Sequence, residues 1–146
     1  NMDTHSPKIR KHIIYVNNTF VATTGQGSIL ISSDNGVTWT ENSSGISCCL
    51  HSIVYANSTF VVVGDGGKIV TSSNAGISWN ERTSGTTNNL TQITYGNGTF
   101  VVVGSNESVR GTGSSIIITS TDNGSTWESM FTSKITNRLN GVTFKQ

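Results

Sequence analysis

Three histidines, two cysteines and one glycine-rich segment are the groups whose chemistry has to be weighed first. His5, His12 and His51 show no metal-ligand spacing with one another or with carboxylates. His12 and His51 instead fall near the start of equivalent apolar runs, a pattern that favours packing or surface roles. Cys48 and Cys49 are adjacent and are the only cysteines, a poor arrangement for bridging to each other. That excludes an intrachain disulfide framework and a cysteine-based metal site. The pair reads as two small side chains in a connection between repeats, with a bridge between copies of the chain as the alternative. Gly64-Asp65-Gly66-Gly67-Lys68 has the glycines and lysine of a phosphate loop, but the spacing is too short and no Ser or Thr follows the lysine. It reads as a turn between strands. No Gly-x-Ser-x-Gly elbow occurs, and no Cys/His pair has supporting context. Neither a cofactor nor a metal is expected.

The elements that would have to position such groups are set by a tandem box. It occurs as Ser32-Ser33-Asp34-Asn35-Gly36-Val37-Thr38-Trp39, Ser72-Ser73-Asn74-Ala75-Gly76-Ile77-Ser78-Trp79 and Ser120-Thr121-Asp122-Asn123-Gly124-Ser125-Thr126-Trp127. Upstream of each box, Phe20, Phe60 and Phe100 follow Asn-rich turns, precede apolar runs and recur at intervals of 40 residues. A period of about 40 with several short β-rich runs per unit points to propeller blades of four antiparallel strands. Strand A is expected over 12–16, 50–55 and 90–95, strand B over 20–24, 60–64 and 100–104, and strand C over 28–32, 68–72 and 115–120. Strand D starts near each tryptophan. The fold class is therefore all-β: a lead segment 1–11, then blades at about 12–49, 50–89 and 90–138. Residues 139–144 resemble the first strand of a further blade.

The box has its own physical logic. Asp34, Asn74 or Asp122 can accept backbone N–H bonds as an Asx-turn. Gly36, Gly76 and Gly124 supply positive φ, and Trp39, Trp79 and Trp127 bury a ring while keeping the indole N–H near polar turn atoms. These residues resemble the Asp-box, or BNR, repeat of sialidase-like β-propellers, sortilin-type receptors and photosystem assembly factors. The resemblance covers about residues 12–144, with Asn74 departing from Asp in the second copy. It implies a structural turn on the face opposite a binding site. Sialidases of that superfamily, as the resemblance implies, use three convergent arginines, a Tyr nucleophile with a Glu partner, an Asp acid/base and usually an Arg-Ile-Pro motif. This chain has four arginines, Arg10, Arg82, Arg110 and Arg138, and its one proline, Pro7, follows Ser6. Tyr15, Tyr55 and Tyr95 recur once per repeat, as do Glu41 and Glu81. A catalytic residue has no reason to recur once per blade, whereas a core residue does, so a non-catalytic member is expected.

Composition narrows the partner classes. Charged residues make up 12% of the chain and the net charge is +1, so no electrostatic footprint suggests nucleic acid or an anionic membrane surface. The short basic run Lys8-Ile9-Arg10-Lys11-His12 reads as a solvated strand edge. No stretch reaches the ~20 apolar residues of a membrane span, and no signal-peptide h-region is present. The composition favours an extracellular, cell-surface or particle-surface setting, with a cytoplasmic one left open. Asn-x-Ser/Thr sequons begin at Asn17, Asn42, Asn57, Asn89, Asn97, Asn106 and Asn123, but several follow automatically from the repeated turn chemistry.

What does not repeat is the informative remainder. Trp79 and Trp127 lie 48 residues apart against 40 for the first pair, and the surplus falls in the B–C connection Gly104–Gly113. Asn106, Glu107 and Arg110 in that enlarged connection are the candidate ligand-binding residues, because B–C and D–A connections share a face. Segments 47–49, 86–89 and 134–138 would border it. Closed propellers carry about four to eight blades, whereas this chain encodes three. Self-association, with a dimer favoured and a filament possible, is the expected route to covering the open blade faces. The overall expectation is a non-enzymatic binding module presenting loops to a glycan or protein. A structural subunit of a ring or filament is the alternative, and a remnant hydrolase is third.

Overall fold

The computed structural model describes residues 10–107 and 113–135. They form three four-stranded antiparallel sheets, each a meander in chain order. The first holds β1 (Arg10–Val16), β2 (Thr19–Thr24), β3 (Ser28–Ser32) and β4 (Thr40–Ser43). The second holds β5 (Leu50–Ala56), β6 (Thr59–Gly64), β7 (Ile69–Ser72) and β8 (Asn80–Arg82), with a short 3-10 turn, η1 (Asp65–Gly67), between β6 and β7. The third holds β9 (Asn89–Gly96), β10 (Thr99–Glu107), β11 (Gly113–Ser120) and β12 (Glu128–Ile135). The expected fourth strands begin one residue after each tryptophan. Residues 1–9 of the lead segment and the expected extra strand 139–144 lie outside the described residues.

Local sequence explains the hairpins. Asn17-Asn18, Asn57-Ser58 and Asn97-Gly98 all have positive φ and close two-residue turns between paired Val16 and Thr19, Ala56 and Thr59, and Gly96 and Thr99. Two consecutive left-handed residues give the turn whose twist matches the strands it joins. β1, β5 and β9 stand side by side as the innermost strands. Val61, Val62 and Val63 are fully buried, because β6 is covered by a neighbouring blade on each side, which explains an uninterrupted apolar run.

Successive blades pack as a repeated ladder. One face of the second blade carries Tyr55, Phe60 and Trp79, with ring centroids 4.6 and 6.0 Å apart, and joins a core with Val21 and Ile29 of the first. Tyr95, Phe100 and Trp127 do the same at 4.7 and 6.3 Å against Val61 and Ile69. Each seam is also pinned by a side chain accepting the next blade's backbone N–H. Ile53 N donates to His12 Nδ1 at 3.0 Å, and Ile93 N donates to Ser52 Oγ at 3.3 Å. Burial pushes the His12 pKa below its ordinary 6.5, which keeps Nδ1 unprotonated and able to accept.

Close passage of loops, as well as turn geometry, dictates one glycine. Gly66 and Gly67 both have positive φ, but a Cβ on Gly67 would stand 1.9 Å from the Thr86 carbonyl oxygen, whereas one on Gly66 would meet nothing within 4 Å. Gly66→Ala is expected to cost about 1–2 kcal/mol, the left-handed conformation alone. Gly67→Ala must also displace backbone and should cost clearly more in urea unfolding. Equal losses for the two variants would contradict the threading of this turn beneath the connection that follows β8.

Candidate functional site

Antiparallel meanders put the β2–β3, β6–β7 and β10–β11 connections at the same end as the links between blades. The three innermost strands each carry an irregularity at that end, with Lys11, His51 and Thr91 at the equivalent step. A bulge of this kind re-aims one side chain without disturbing the rest of the ladder. His51 Nε2 lies 2.6 Å from Asp65 Oδ1 on η1, and Thr91 Oγ1 donates to the Val103 carbonyl at 3.3 Å. The repeat thus fixes a position and leaves its chemistry free to vary.

Around the His51–Asp65 pair the connections lock together. Asp65 N donates to the Cys49 carbonyl at 2.9 Å, and Gly66 N donates to Asn89 Oδ1 at 2.9 Å. Cys48 Sγ faces the Asp65 carbonyl at 3.4 Å, while Cys49 Sγ turns the other way, to the Gly25 carbonyl at 3.0 Å. The two thiols are therefore free and directed at different blades. Burial pushes the Cys48 thiol pKa up, aided by the Asp65 carboxylate, so it stays protonated and is a poor nucleophile. Lys68 Nζ and Glu81 Oε2 form an exposed pair at 2.8 Å beside this group. Among the described residues no set of three or more His, Cys, Asp or Glu is placed to hold a metal ion.

The expected ligand residues divide differently. Asn106 and Glu107 lie within β10, where they pair with Ser114 and Gly113, and Arg110 lies outside the described residues. The segment Ser105–Glu107, expected as loop, is strand. Its Ser, Asn and Glu content reads as turn chemistry, but β10, β11 and β12 lengthen together, with pairing continuing from Ile117–Phe131 out to Gly113–Ile135. Asn106 is exposed on this extended hairpin, and the neighbouring Ser114 accepts from Asn88 Nδ2 at 3.2 Å. His51 and Asp65 are the pair that sequence reasoning missed. The available signal was their departure from the repeat: Gly25 occupies the position equivalent to Asp65, and Thr91 that of His51.

The boxes occupy the opposite end. In the first, Ser32 Oγ donates to Asp34 Oδ1 and accepts from Gly36 N, both at 2.9 Å. Asp34 also accepts from Thr38 N at 2.8 Å and Thr38 Oγ1 at 2.5 Å, and Trp39 Nε1 donates to the Gly36 carbonyl at 3.0 Å. Asp122, Gly124 and Trp127 reproduce the pattern. In the second box Asn74 Oδ1 keeps the bonds from Ser72 and Ser78 N, but its Nδ2 donates to Ser78 Oγ at 2.8 Å, which reverses one bond. Trp79 Nε1 still reaches the Gly76 carbonyl at 3.1 Å. The recurrent tyrosines and glutamates belong to such repeat contacts: the tyrosines stack on Phe20, Phe60 and Phe100, Glu41 accepts from Ser28 Oγ, and Glu81 pairs with Lys68. Arg82 Nε donates to Thr71 Oγ1 at 3.0 Å.

No protein-family model matches the chain, and no curated protein matches it. Its structural neighbours are β-propellers. YCF48 bound to a D1 peptide superimposes with a TM-score of 0.67 at 14% identity, over 88% of this chain and 41% of that one. YCF48 from Cyanidioschyzon merolae gives 0.65 at 14% identity, over 91% and 40%. The endosialidase of phage phi92 gives 0.55 at 15% identity, over 80% and 24%. The chain thus spans about two fifths of the YCF48 chains it matches. At these identities the likeness establishes a β-propeller fold.

The box carboxylates offer a solution readout of this geometry. Bonds from Thr38 and Thr126 hold Asp34 and Asp122 at a pKa of about 2, below the ordinary 3.8. A depressed folded-state pKa means that the carboxylate's stabilisation is present in full above the ordinary value and is lost as pH falls through the folded one. Between about pH 4 and pH 2 the thermal midpoint should therefore fall less steeply in an Asp34→Asn/Asp122→Asn variant than in the wild type. Parallel curves would show that these carboxylates do not hold their turns in solution.

Proposed function

We propose that the chain is a non-enzymatic β-propeller binding module whose ligand is a protein or peptide segment. It is engaged by the end that carries His51, Asp65 and the links between blades. The observation that carries this reading is the bulge position on the innermost strands, where a fixed backbone step holds Lys11, His51 and Thr91 in turn. Rigid scaffolds with variable groups at one rim are how binding surfaces are commonly built. A propeller of the same fold, YCF48, has a structure with a D1 peptide bound, which supports a peptide-sized ligand. Asn106, exposed on the extended β10–β11 hairpin, belongs to the same proposed surface.

Self-association is the second part of the proposal. Ile13 is 48% exposed, whereas its equivalents Ile53 and Ile93 are 1% and 5% exposed under the preceding blade. Tyr15 is 54% exposed and bonds within its own turn to Asn18 Oδ1 at 3.2 Å, while Tyr55 and Tyr95 receive Asn17 and Asn57 from the blade before. An apolar blade face of this kind is suited to receive another blade, and for the 146-residue chain alone the donor would be a second copy.

Light scattering on that chain should give 2 × 15.5 = 31.0 kDa, reduced towards 15.5 kDa by Ile13→Arg. A wild-type species of 15.5 kDa contradicts self-association, and open-ended polymer favours a filament subunit instead of a closed dimer. Peptides selected on the immobilised chain from a displayed random library should bind at least about ten-fold more weakly to His51→Ala/Asp65→Ala, a loss of about 1.4 kcal/mol. Undiminished binding would reject the assigned face.

A further inference from the structure

The two seams between blades are built from equivalent residues, yet they differ at one point on the box end. Where the first and third boxes have Asn35 and Asn123, the second has Ala75, held at φ 63°. Asn tolerates that left-handed region far better than alanine does. The turn's own hydrogen bonds give no reason for alanine, since Ser72 and Gly76 keep the contacts of their counterparts and Asn74 Oδ1 still accepts from Ser72 Oγ and Ser78 N.

What the alanine changes is the seam. Between the second and third blades, Asn123 Nδ2 reaches across to Thr59 Oγ1 at 2.8 Å, and Asn57 Nδ2 meets the Tyr95 hydroxyl at 2.7 Å. Between the first and second, Thr19 stands where Thr59 would and has no such donor, and Asn17 Nδ2 lies 3.4 Å from the Tyr55 hydroxyl. A cavity of about 300 Å³ opens there, with Tyr55, Phe60 and Ala75 among its walls. The same box carries the other departure from the repeat, Asn74 in place of Asp, and Asn74 also lines the cavity. Two departures in one box thus converge on one space: one removes bulk, the other removes a negative charge.

We propose that this cavity is a binding site for a single neutral pyranose, as a free sugar or the end of a glycan. None of the residues lining it is Asp, Glu, Lys, Arg or His, so an ionic ligand would lose hydration with nothing to replace it. The half-buried Tyr55 ring with the Val16 side chain and the Ala75 methyl offers apolar contact, and the Asn17 amide with the Ser58 and Ser73 hydroxyls offers donors and acceptors at the rim. A pyranose alternates C–H faces and hydroxyls in the same way. The volume lies at the small end of ligand pockets, about 300–1,000 Å³, which suits one ring. This site lies at the opposite end of the blades from the proposed peptide surface and does not rest on it.

The test is a titration of the 146-residue chain with methyl glycosides of neutral hexoses and with N-acetylglucosamine, followed by amide and methyl chemical shifts. Saturable shifts confined to Ala75, Asn17 and Ser58 are expected for at least one sugar. They should vanish in Ala75→Asn, which restores the residue of the other two boxes, removes the strained alanine and can reach Thr19. That variant should fold at least as stably as the wild type, so loss of binding cannot be blamed on unfolding. No saturable shifts with any of these sugars, binding that survives Ala75→Asn, or p-cresol shifting these signals while every sugar fails would each overturn the proposal. His51→Ala/Asp65→Ala should leave the sugar response unchanged. A response abolished by that variant would place the sugar at the other end and equally overturn it.

Discussion

The second and third blades each depend on burying one aromatic ladder against the aliphatic row of the blade before it. Four short strands cannot enclose a core within a single sheet, so the apolar side chains of both faces need neighbours. Full burial of each such side chain is worth about 1.5–3 kcal/mol, and Phe60, Val62 and Val70 are all nearly or fully buried in the first seam. The ladder explains the spacing of the repeat: Tyr and Phe are cross-strand partners at Tyr15–Phe20, Tyr55–Phe60 and Tyr95–Phe100. The tryptophan arrives from the box turn to cover the phenylalanine's other side. Box and ladder are one device, since the turn that bonds the indole N–H also sets where the ring lies.

A scaffold fixed in this way can vary wherever variation leaves the ladder alone. At one end that freedom is the bulge, where Lys11, His51 and Thr91 follow one another on identical backbone. At the other it is the residue after the box Asp or Asn, where Asn35, Ala75 and Asn123 share positive φ. Both positions differ between blades, and both lie at blade ends. Function on a repeat fold is carried by such departures, because whatever recurs is accounted for by packing.

The same reasoning explains what could be read from the chain. The three boxes, the hairpin turns at Asn17, Asn57 and Asn97, and the buried runs around Val61 and Val101 are local patterns with a fixed period, so strands and sheet order followed from them. The His51–Asp65 contact joins residues 14 apart in sequence through a bulge that no residue type announces. Ser105–Glu107 reads as loop because its composition is that of a turn, and only the joint lengthening of β11 and β12 makes it strand. Ala75 is visible in the sequence as a departure, but its consequence depends on Thr19 standing opposite in another blade. Periodic features are legible one residue at a time, whereas the sites arise where two departures from the repeat meet within one blade.

Hydrogen exchange of the three indole N–H groups tests the repeated box-and-ladder device most directly. Trp39, Trp79 and Trp127 each donate to a glycine carbonyl, at 3.0, 3.1 and 2.9 Å, and Trp127 is 9% exposed, buried against the blade before it. All three should exchange more slowly than a free indole, with Trp127 the slowest and Trp39, on the open blade face, the fastest. Exchange at the free rate for any of the three, or Trp39 as the best protected, would contradict a chain built from equivalent blades stacked in one direction.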